Sequence, residues 1–111
     1  MITTQMDRLL SFDEKTGILE CESGVCLEDL IRVFVPKGWF VPVTPGTRFV
    51  TVGGMFASDV HGKNHHKSGS FSKNVLNFTL LDASETVHEV DRERNLNLFL
   101  ATAGGMGLTG M

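Results

Sequence analysis

Apolar residues recur along this chain in more than one rhythm, and each rhythm predicts an element. Leu9, Leu10 and Phe12 run into the turn-forming stretch Asp-Glu-Lys-Thr-Gly at 13–17, and Ile18, Leu19 and Cys21 follow it. Two short apolar runs separated by turn residues predict a hairpin with its bend near Gly17. From Leu27 the spacing changes, because Leu27, Leu30, Ile31, Phe34 and Val35 fall on the single buried stripe of a helix. Glu28 and Asp29 stand in its first turn, where negative charge opposes the exposed amide dipoles, and Pro36 with Gly38 ends it near Val35.

Residues 39–43 are apolar and β-prone despite Pro42, which predicts a short edge strand leading into a turn at Thr44, Pro45 and Gly46. A short strand then passes through residues 51–54 directly into a helix carrying Met55, Phe56, Ala57 and Ser58. Partial alternation over 75–81 predicts a strand that pairs with residues 86–90 across the turn at 82–85. Residues 95–103 read as a helix begun by Asn95 and ended by Gly104 and Gly105. Hairpins mixed with helices, without a regular strand-helix-strand repeat, give an α+β class: a mixed, mostly antiparallel sheet with helices packed on one side.

Composition narrows the function classes. At 111 residues, 41% hydrophobic and 21% charged, the chain is one globular unit at most. Ten basic against thirteen acidic residues leave a formal charge of −3, which gives no long-range attraction for nucleic acid or an anionic membrane, so any anion site must be local. No apolar run approaches the roughly 18 residues of a membrane span. Residues 1–10 lack the pattern of a signal peptide, so a non-secreted, cytoplasmic location is expected. Cys21 and Cys26 could close only a very small loop and are expected to be reduced.

Three segments could carry chemistry. Gly105, Gly107 and Gly110 match the spacing of a dinucleotide fingerprint, but a helix precedes them where a strand is required, and a glycine-rich helix-to-strand connection is the stronger reading. At Thr51-Val52-Gly53-Gly54 two readings stand open. Bare backbone at the start of a helix could offer unpaired amides to phosphate oxygens, or the glycine pair could simply let helix and strand pack closely. His61, His65 and His66 could hold a metal, but Gly62 argues against a helix there, the glutamate of the zinc-protease pattern is missing, and Lys63 repels a cation while suiting an anion.

The stretch VPVTPGTRFVTVGGMFASDVHGKNHH at 41–66, with GSF at 69–71 and LFLATAGGMGLTG at 98–110, strongly resembles the FAD-linked oxidoreductases of the vanillyl-alcohol oxidase and p-cresol methylhydroxylase type, and within them the decaprenylphosphoryl-ribose 2-oxidase-like enzymes. The resemblance implies that residues 1–111 are a partial FAD-binding domain, its second lobe. The first-lobe pyrophosphate loop and the C-terminal substrate domain have no counterpart. It implies an enzyme that oxidises an alcohol of a sugar or sugar-lipid by hydride transfer to the flavin.

By position it implies that Gly46, Thr51, Val52, Gly53 and Gly54 border the FAD diphosphate and ribitol. Ser58, Asp59, Val60 and His61 approach the flavin, Gly105 and Gly110 line the cofactor, and His61 and Lys63 stand near the reacting face. Residues 82–85, Asp-Ala-Ser-Glu, replace the usual Asp-Gly turn, so that hairpin is expected to bend differently. The isolated chain is expected to bind FAD weakly without turnover and to pair through exposed lobe faces as a homodimer. A cofactor-free scaffold fragment and a histidine metal module are the alternatives.

Overall fold

The computed structural model describes residues 3–111. The first hairpin forms as the spacing requires, with β1 (Leu9–Asp13) antiparallel to β2 (Ile18–Cys21). Gly17 closes it at φ 74°, its amide donating to the Asp13 carbonyl at 2.8 Å, and the Trp39 ring lies where a side chain would stand. Helix α1 (Leu27–Phe34) turns Leu27, Leu30 and Phe34 inward and carries Glu28 and Asp29 at its positive end. A 3₁₀ turn at Val35–Lys37 and Gly38 in the left-handed conformation stop it.

Farther along lie the six-residue helix α2 (Val52–Ala57), the single-turn helix α3 (His65–Ser68) and a 3₁₀ turn at Phe71–Asn74. The second hairpin joins β3 (Asn77–Leu81) to β4 (Val87–Asp91), Phe78 opposite Val90, and α4 (Leu96–Thr102) follows. The α+β class and antiparallel pairing hold. Among the described residues the strands form two separate two-stranded sheets, which the packed helices and loops connect.

The core has two parts. Leu27, Val43, Met55, Phe56, Phe71, Leu80, Val90 and Phe99 form the larger, with the rings of Phe56, Phe78 and Phe99 packed edge to face or tilted at 4.8–5.5 Å. Val25, Leu30 and Phe34 form the smaller, against Phe12, Leu19 and Trp39 of the first hairpin. Helix α1 joins them, because its stripe offers Leu27 to one and Leu30 and Phe34 to the other. Each such side chain contributes about 1.5–3 kcal/mol on burial.

The edge strand expected at 39–43 is absent. Pro42 has no amide to give a ladder, its carbonyl accepts from the Asn64 side chain at 3.0 Å, and Val43 is drawn fully into the core. The strand expected at 51–54 shrinks to a single bridge between Thr51 and Cys26, since the helix already begins at Val52 and takes both glycines inside it. Asn95 does precede α4, but its side chain donates to the Glu89 carbonyl at 3.3 Å and makes no cap.

Candidate functional site

Between α1 and the loop 44–49 runs an open cleft of about 410 Å³, floored by Leu27, Ile31 and Phe40 and rimmed by Thr44 to Phe49. Pro45 and Gly46 keep this loop out of regular structure, and among the described residues the amides of Gly46, Thr47 and Arg48 meet no acceptor. Three consecutive unspent donors beside a guanidinium suit an anion. The Arg48 guanidinium lies 4.9 Å from the Phe49 ring centroid and 3.0 Å from Glu28, and open space surrounds the position a Gly46 side chain would take. A second cleft, of about 270 Å³, lies on the far side of Phe49, between Thr51 and Asp7.

The glycine pair behaves otherwise. The Val52 amide donates to Val25 at 2.9 Å, the Gly53 amide to Ser23 at 2.8 Å, and the Gly54 amide to the hydroxyl of its own cap, Thr51, at 3.0 Å. All three first-turn donors of α2 are spent inside the chain, so the expected open anion nest at 53–54 is not there. A side chain at Gly53 would reach within 2.9 Å of the Ser23 Cβ. Close packing, the other reading of this pair, is the one the geometry bears out. The amides without an acceptor lie instead at 46–48, which the sequence reading touched only through Gly46.

Helix α2 ends in Ser58, exposed, and Asp59, whose φ is 41° and whose carboxylate accepts the Ser72 amide at 2.9 Å. The Asp59 carboxylate is thereby turned into the protein. Val60 and His61 then pair with Phe71 and Ser70, and the loop between them carries an exposed basic surface. From residue 60 to residue 81 the chain has Lys63, Lys67, Lys73, His61, His65 and His66 and no acidic residue, a run that a count of charge along the sequence would have found.

The rings of His61 and His65 are 5.4 Å apart and those of His65 and His66 3.8 Å. His65 Nδ1 lies 3.2 Å from the Gly62 carbonyl, and among the described residues no cluster is arranged to hold a metal ion. This loop rests on the cleft wall, through Asn64 on Pro42 and through Gly62, where a side chain would meet the Thr44 carbonyl at 2.8 Å. The 61–64 loop therefore packs on residues 42–44, which lead directly into Gly46.

The glycine-rich segment splits in two. Gly104 and Met106 donate to the Phe56 and Ala57 carbonyls, at 3.1 and 2.8 Å, which fixes their loop to the end of α2 beside Asp59. Gly105 is there because a side chain would run into the Ala101 carbonyl, and Gly110 because one would run into the Leu81 carbonyl. Gly110 lies by the edge of β3, where Leu81 and Met111 exchange both backbone hydrogen bonds. The segment leaves a helix, as its context predicted, and returns to the edge of β3 as a loop, with no strand assigned to it among the described residues.

A matching family model, described as an FAD binding domain, covers residues 1–91. The chain is 45% identical over 107 residues to decaprenylphosphoryl-beta-D-ribose oxidase of Mycolicibacterium smegmatis, covering 96% of this chain and 23% of that protein. It is 30% identical over 112 residues to the mitochondrial D-2-hydroxyglutarate dehydrogenase of Arabidopsis thaliana, 93% of this chain and 20% of that one. The carbohydrate oxidase of Microdochium nivale, solved in complex with a substrate analogue, superposes with a TM-score of 0.85 at 26% identity, over 98% of this chain and 23% of its own. Alkyldihydroxyacetonephosphate synthase, 20% identical with a TM-score of 0.79, shares the fold. The chain spans less than a quarter of the length of these relatives.

Proposed function

This chain belongs to the FAD binding domain family, and from that membership we propose that it forms part of the flavin site of an oxidoreductase acting on an alcohol of a sugar or sugar-lipid. The observation that carries the reading is the set of three unspent amides at Gly46, Thr47 and Arg48, in a loop whose Thr44 is packed by Gly62 of the acid-free stretch that also bears Lys63 and His61. FAD carries two phosphates, and these residues have the donors and positive charge that phosphate oxygens require. When bound, FAD supplies hydride acceptance at its flavin ring.

In this reading the amides of 46–48 take phosphate oxygens, and the Phe40 and Phe49 rings shield one side of the ligand from water. Ser58, Val60 and His61 border the flavin. Thr51, Val52, Gly53 and Gly54 support the site through packing, and Gly105 holds the adjoining loop. Lys63 and His61 offset negative charge on the substrate or the reduced ring, and neither is assigned as the base that takes the alcohol proton. The sugar alcohol rests on the oxidases similar to this chain, whose names specify a ribose derivative and a carbohydrate. The two free cysteines favour a cytoplasmic location, and no helix among the described residues is long and apolar enough to cross a membrane.

Titration with FAD, followed by flavin fluorescence and by thermal shift, tests the proposal. A saturable but weak complex without alcohol oxidation is expected of these 111 residues, and Lys63→Ala should weaken it several-fold. No response at millimolar FAD would favour the cofactor-free scaffold reading instead.

A further inference from the structure

We propose that Asp59 is a positioning residue that sets where His61 stands, an inference that rests on the reading of residues 58–61 as the flavin-facing segment. The basic loop 61–70 leaves the core and returns to it through a narrow base. There the Asp59 carboxylate accepts the Ser72 amide at 2.9 Å, the Phe71 amide donates to the Val60 carbonyl at 2.8 Å, and His61 bridges Ser70. The Asp59 contact is the side-chain member of this clasp, one residue pair beyond the main-chain links.

Its far side is anchored firmly. Ser72 is buried, its carbonyl accepts from Arg92 Nη2 at 2.8 Å, and the Arg92 guanidinium lies 4.2 Å from the centroid of Phe99, which is wholly buried in the core. A line of contacts thus runs from the core through Arg92 and Ser72 to Asp59, two residues from the His61 ring.

Residue type supports the role. At φ 41° most side chains are strained, and aspartate and asparagine are among the few that tolerate the region. A position that needed only the backbone bend would suit glycine, yet here the residue also supplies an acceptor, and its amide donates to Phe56 at 3.0 Å. Gly104 packs beside it, a Cβ there standing in ordinary contact 3.6 Å from that of Asp59. Asp59 acts through His61 and touches no reacting atom.

Two variants separate acceptor from bend. Asp59→Asn keeps a carbonyl oxygen for Ser72 and tolerates the backbone, whereas Asp59→Gly relieves the backbone and removes the acceptor. In the cofactor-free chain, Asp59→Gly should speed amide exchange at Ser72 by about tenfold or more, and Asp59→Asn should hold it near wild type. In NMR spectra assigned with His61→Gln, the His61 ring signal should move toward that of a solvent imidazole in Asp59→Gly and stay in place in Asp59→Asn.

A His61 signal unmoved in a folded Asp59→Gly chain, or displaced in a folded Asp59→Asn chain, overturns the proposal even where the melting temperature falls. Should Asp59→Gly not fold, Asp59→Glu, which displaces the acceptor by one methylene, is judged by the same His61 signal. These readouts need no flavin, so a chain that ignores FAD would refute the flavin site and leave the clasp to be decided separately.

Discussion

A glycine is an absent side chain, and only the neighbour across the gap says why it is absent. For Gly53 that neighbour is Ser23, thirty positions earlier, which no local motif reveals. Gly46 has no neighbour within 4 Å, and its amide is unspent. The two therefore predict opposite phenotypes. Gly53→Ala gains about 1 kcal/mol in helix propensity but overpacks against Ser23, at about 1–3 kcal/mol, so it should lower the melting temperature. Gly46→Ala should leave that temperature near wild type and weaken FAD binding. Thermal denaturation paired with FAD titration checks both, and equal loss of stability in the two variants would contradict the assignment. Sequence made the glycines visible as a class, and long-range packing decides which of them has open space beside it.

Elements were most legible where their cause is local. The stripe from Leu27 to Phe34 and the punctuation by Pro36 and Gly38 are all contained within α1 and its cap, and the helix is where the spacing put it. The segment 39–43 failed because strand propensity says nothing about a partner, and Pro42 removes a donor besides. The second hairpin lies where expected, and its turn is closed by Asp82. That carboxylate accepts from the Ser84 hydroxyl and from His88 Nε2 at 2.7 Å each, and from the Ser84 and Thr86 amides at 2.8 and 3.0 Å. Glu85 takes φ 61°, the bend that an Asp-Gly turn would give to glycine.

The Ser84 hydroxyl first, then His88 and the Thr86 amide, hold the Asp82 carboxyl well below the usual carboxylate range. A depressed folded pKa favours folding above the unfolded value of about 3.9, and that contribution disappears as pH falls through the folded value. Asp91, lowered by the Arg94 amide and then its side chain, acts in the same direction at the other end of β4. Wild type should therefore melt above Asp82→Asn near neutrality, and the difference should shrink once the pH drops below about 4. Melting curves across that range test it, and a difference that persists undiminished in acid would rule out the carboxylate as the source.

At the scale of the molecule, charge is unevenly spread. Lys63, Lys67 and Lys73 give residues 60–81 a formal +3, so a total of −3 leaves −6 on the remainder. Net charge concealed this island, which is why composition argued only that an anion site must be local. Among the exposed apolar side chains, Leu96 and Leu100 share one face of α4, and Met106 and Leu108 stand out from the loop that follows, the last 91% exposed. The relatives are more than four times as long as this chain, and a face of this kind suits contact with further protein. With these 111 residues alone, a second copy is the available cover. Sedimentation should thus show dimers that grow with concentration and persist in high salt, because apolar contact is not screened as charge is. Leu100→Glu together with Leu108→Glu should return the chain to monomer without lowering its melting temperature, since both side chains are exposed. Dimers that dissolve in salt and survive the double substitution would move the interface from α4 to the basic loop.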